Sequence, residues 1–134
     1  MAYIVQSPSA KALTASDVAD DLITSAKLNY SETTLTDQAT ITWDASTQDV
    51  AKVTLAGNRT LGSASSGTTG QFISLLIIQD GTGSRTLTWN AAYEFASDTA
   101  PTLTTTASKG DVFVFRYNGS KWLEVGRNQA LTLS

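Results

Sequence analysis

The sequence predicts a mainly β protein, a β-sandwich or jelly-roll-like domain preceded by an extended or partly helical N-terminal arm. Three observations carry this. Ser and Thr are abundant and sit beside apolar residues, a combination that favours strands. Six to eight short apolar or alternating runs follow Asp37, separated by turn signals. One Asn-Gly pair, Asn118-Gly119, joins two such runs, the strongest short-range signal for a hairpin. The 134 residues suffice for one domain with a real core.

The composition shifts near Thr36, which divides the chain into an arm, residues 1–36, and a β-domain, residues 37–134. The arm lacks strand-like alternation. "SDVADDLITSAKL" reads either as a short helix capped by Ser16 or as an extended segment. "LTASDV" and "ITSAKL" form a weak ten-residue repeat. The arm has too few apolar residues for its own core. It nevertheless keeps Tyr3, Ile4, Val5, Leu13, Val18, Leu22, Ile23 and Leu28, which suit a chain laid into a groove on a partner.

In the β-domain, "QATITW" places Ala39, Ile41 and Trp43 on one face, and "VAKVTL" aligns Ala51, Val53 and Leu55. "GNRTLG" and "SASSGTTG" read as turn and loop material. "FISLLIIQ", Phe72 to Gln79, is nearly all apolar and reads as a strand buried on both faces. "DGTGS" turns the chain into "RTLTW". A long irregular segment follows, with room for a short strand near Leu103. In the hairpin, Phe113, Phe115 and Tyr117 point one way, and Val112 and Val114 the other. "QALTLS" is a last short strand or a tail.

A sandwich of this size has one interior, yet two strands are apolar on both faces. A second copy of the chain, or a neighbour's arm, is the simplest cover; a loop of the same chain is the alternative. The subunit-contact candidates are Ile73, Leu75, Val112, Val114 and Trp122. Trp43 and Trp89 share faces with aliphatic residues and read as core. Trp122 points away from Leu123 and Val125 and is the Trp expected at an exposed or inter-subunit position.

The composition narrows the function. The net charge of −3 and dispersed basic residues argue against nucleic-acid binding. With no His and no Cys, the common triads and Cys-ligated metals drop out. No carboxylate pair stands out by position, so neither an enzyme nor a cofactor is expected. "QDGTGS" faintly suggests a calcium loop but lacks the distal acid, and a Gly-rich turn fits better. "GSASSGTTG" has no following Lys and is no phosphate loop. The N-terminus lacks the pattern of a secretory signal, and no apolar stretch approaches membrane-spanning length. Neither a membrane nor a nucleic acid is therefore expected as a partner.

"GQFISLLIIQDGTGSRTLTWNAAYEF" and "APTLTTTASKGDVFVFRYNGSKWLEV" resemble a module of tailed-bacteriophage virion proteins: fibres, head fibres and capsid decoration proteins. The residues that carry the resemblance are Gln79-Asp80, Trp89, Pro101 to Leu103, and Asp111 through Tyr117, Asn118, Gly119 and Trp122. The resemblance implies a virion surface protein that forms homotrimers. Its short stem favours a decoration or cement protein, whose arm docks on the major capsid protein after assembly in the host cytoplasm. The alternative is a tail-fibre adhesin that binds host glycans.

Overall fold

Period-two alternation becomes period-two burial. In the computed structural model, which describes residues 31–134, strand β2 (Thr40–Asp44) buries Ile41 and Trp43, and β3 (Val50–Leu55) buries Ala51, Val53 and Leu55. Strand β5 (Phe72–Gln79) buries Ile73, Leu75, Ile77 and Gln79. Strand β8 (Lys109–Tyr117) buries Phe113 and Phe115 on the same side. The other strands are β1 (Thr33–Thr34), β4 (Arg59–Ser65), β6 (Leu87–Trp89), β7 (Tyr93–Glu94) and β9 (Trp122–Thr132). Almost no helix is present among the described residues; one short 3-10 turn spans Ala96–Asp98.

The strands form a six-stranded sheet, in the order β1-β3-β5-β8-β9-β7, and a three-stranded sheet, β2-β4-β6. Their inner faces share one core, and the protein is mainly β, as the sequence predicts. The connectivity is less usual. From β1 to β6 the chain alternates between the sheets, and each strand pairs in parallel with the one two places earlier. Parallel neighbours cannot be joined by a tight hairpin. Here the strand in the opposite sheet is the crossover, so the first half winds as a short parallel coil. The antiparallel β8–β9 hairpin then packs beside β5.

Four sequence expectations change. Arg59–Ser65, read as turn material, is β4: Leu61 and Ala64 point inward, and Thr60 N–H donates to Ala39 O. No strand forms near Leu103; that residue is buried from an irregular loop. The segment from Gln129, read as a separate short strand or a tail, continues β9 through Thr132. Thr33 and Thr34, placed in the arm, pair with β3, and Leu35 enters the core.

Four polar side chains hold the irregular segments. Tyr93 Oη donates to Gly62 O (3.0 Å) and accepts from Ala64 N–H (3.1 Å), where the β2–β4 register slips by a residue. Burial pushes the Tyr93 phenol well above its ordinary range. Gln79 binds Arg85 by both backbone groups, while Asp80 accepts from Thr82, Gly83 and the Arg85 guanidinium. The Asp80 carboxylate is thus occupied by its own turn, and the Arg85 side chain holds it below its usual range. At Gly83 (φ +74), a Cβ would lie 2.5 Å from Thr105 O, so the turn needs glycine.

Asp111 is the fourth. It is 2% exposed and accepts from Thr104 N–H (2.7 Å), Ala130 N–H (2.9 Å) and Gln129 Nε2 (3.2 Å). It therefore ties the long loop to the terminal hairpin. Asp111→Ala leaves Thr104 N–H without its acceptor and takes one of two acceptors from Ala130 N–H and from Gln129 Nε2, and should cost about 2 kcal/mol, read by urea denaturation. Asp111→Asn, which keeps one acceptor oxygen, should fall between the two. A loss below about 1 kcal/mol for the alanine variant would contradict this role.

Candidate interaction surface

The second face of the large sheet is built by register. Across β3, β5, β8 and β9 one row reads Val50, Ser74, Val114, Gly126; the next reads Lys52, Leu76, Val112, Asn128. Further rows pair Ile78 with Thr54 and Gly110, and Phe72 with Arg116. Phe72 is 55% exposed and Val50 36%. Leu76, Ile78, Val112 and Val114 are half-buried by their neighbours. Among the described residues no element packs over this face.

Glycines keep it low. Gly126, opposite Val114, has open space where a Cβ would stand. At Gly110 a Cβ would crowd both Leu76 and Leu133 at 3.0 Å, so these leucines close over the bare backbone. Few charges interrupt the patch. Lys52 pairs with Glu32 at 2.7 Å at one side, and Arg116 lies near Phe72 at the other. A contiguous apolar patch of this kind marks an interaction site more often than a bare surface.

The structure divides the contact candidates. Val112 and Val114 lie on the open face. Ile73, Leu75 and Trp122 lie in the chain's own core, each at most 1% exposed. Trp122 does point away from Leu123, but inward. Its Nε1–H donates to Ala64 O (3.0 Å), and its ring meets Tyr117 with centroids 4.6 Å apart. The expected exposed Trp is thus a bolt between the two sheets. Phe72, Leu76 and Ile78 were missed because both faces of β5 are apolar, so periodicity alone could not rank them. Ser74 marks the less buried face and is the signal that could have done so. The arm residues Tyr3, Ile4, Val5, Leu13, Val18, Leu22, Ile23 and Leu28 lie outside the described residues.

A family model described as "Putative phage tail fibre C-terminal domain" matches residues 29–122, more than half of the chain. The chain belongs to this family. The match runs from just before β1 to Trp122, the first residue of β9, and so spans both sheets. A search of curated proteins finds no match. The family places the chain among the tailed-phage virion surface proteins, so it is a phage structural protein, as the sequence motifs imply. The open apolar face thus belongs to a domain from an assembled particle.

Proposed function

We propose that this chain is the distal β-module of a phage tail fibre, associating as a homotrimer through the outer face of its six-stranded sheet and meeting the host surface with its loops. The family match, which names a tail-fibre domain, carries this reading. The apolar face of β5 and β8 supports self-association, because symmetric oligomers bury the same patch from every copy. Its function is associative: burying apolar area between copies fixes a rigid tip. Chemistry on a substrate is not part of this reading.

Gold-labelled antibody against residues 31–134, applied to intact virions, tests the location. Label at the ends of tail fibres is expected. Label spread over the head would replace this reading with the decoration role, in which the arm binds the major capsid protein.

A further inference from the structure

The chain's own fold does not require glycine at position 126. Its φ is not left-handed, and a Cβ there would meet nothing within 4 Å. A β-branched residue would suit a strand better. What the bare position provides is a hollow beside Val114, on the β9 side of the open sheet face. The β5 side carries a projection instead. Phe72 is 55% exposed and is the largest of the exposed apolar side chains.

Charge divides the face in the same way. The register sets Phe72, Arg116, Leu123 and Glu94 in one row across β5, β8, β9 and β7. Tyr93 is buried on the inner face, so Glu94, the next residue, stands on the outer one. Arg116 is exposed, and no carboxylate pairs with it among the described residues. At the β7 end of the row, Glu94 accepts from Lys121 Nζ, and its carboxyl also meets that of Asp98. That contact holds Glu94 below its ordinary value and raises Asp98. Two carboxyls thus share one ammonium at β7, while the guanidinium on β8 has no counter-charge in its own chain.

We propose that copies of the chain meet side to side, with Phe72 of one copy seated in the hollow over Gly126 of the next and Arg116 of the first reaching the Glu94–Asp98 carboxyls of that same neighbour. A projection and a hollow at different places on one face make a heterologous contact, which closes into a ring when the rotation allows. Aromatic and arginine side chains are the usual anchors of protein interfaces. The charges complement each other in the same pairing, which sets orientation and excludes the reverse one. The inference rests on the homotrimer reading and adds which side of the face meets which.

The chain has no Cys, so an introduced disulfide reports one contact alone. Phe72→Cys and Gly126→Cys are combined in the full chain; both positions are exposed, so the fold should tolerate them. Within one chain they lie two strands apart, about 9–10 Å, beyond the roughly 7 Å that a disulfide spans between Cα atoms. Oxidation should therefore link different copies, and a denaturing gel without reductant should show a covalent product of three chains. Neither single variant should give it. Gly126→Val should lower the association constant at least tenfold by light scattering, with the melting temperature unchanged or higher. Arg116→Glu should weaken association as much, by a factor that shrinks as salt rises. A trimeric wild type that gives no covalent trimer, or that keeps its affinity with Gly126→Val, would overturn this pairing and leave the homotrimer reading in place. A monomeric wild type would end both. A covalent product that stops at two copies would replace the ring with a two-fold contact.

Discussion

Trp122→Ala will destabilise the β-domain by about 4–5 kcal/mol, at the upper end for a buried aromatic. Three losses combine. The ring is fully buried, and its removal leaves a cavity between β9 and β4. Ala64 O loses its hydrogen-bond donor at 3.0 Å. Tyr117 loses the ring it packs on, and the loop after β4 at Gly67, where a Cβ would stand 2.6 Å from the indole, loses its lid. A domain of this size moves by about 4–8 °C for each kcal/mol, so the melting temperature should fall by roughly 20 °C or more. Many small domains have only about 5–15 kcal/mol in hand, so the alanine variant could fail to fold. Trp122→Phe then gives the measurement: it keeps most of the apolar contact, loses the N–H donor, and should cost about 2 kcal/mol. Urea denaturation reads both variants. A change below about 1 kcal/mol for either would mean that Trp122 does not join the two sheets.

The same residue shows how far the sequence could be read. Its alternation against Leu123 correctly separates the two faces of β9, but alternation does not say which face is inside. β3 and β5 were legible to their end residues, because β3 alternates apolar with polar and β5 is nearly all apolar, each between turn signals. The hairpin was legible because Asn118 Oδ1 accepts from the Ser120 and Lys121 N–H groups, and Gly119 takes φ +96, a conformation suited to glycine. β4 was not legible. Its only large apolar residue is Leu61, and its strand character comes from the neighbours β2 and β6 on either side. Parallel order was hidden for a related reason: a strand's own sequence encodes its faces but not its partners.

Val114→Asp will abolish the proposed homotrimer and leave folded monomers. Val114 sits centrally on the open face, between Ser74 on β5 and Gly126 on β9. Among the described residues no element covers that face, so the new carboxylate reaches water and the core behind it is untouched. Strand content by circular dichroism should therefore match the wild type. In an assembly that buries the face, every copy would bring an unpaired charge to the interface. Each such burial costs several kcal/mol, and about 1.4 kcal/mol already changes an association constant tenfold. Leu76→Asp tests the same face beside Lys52, whose ammonium lies one strand away, so its effect should be smaller. By contrast Ile73→Asp, on the inner face of the same strand, should unfold the chain rather than separate the copies, because Ile73 is 1% exposed. Light scattering at micromolar concentration reads the mass in each case. A monomeric wild type would end the homotrimer proposal. A Val114→Asp protein that remains trimeric would place the contact on another surface and leave the apolar face of β5 and β8 for a different partner.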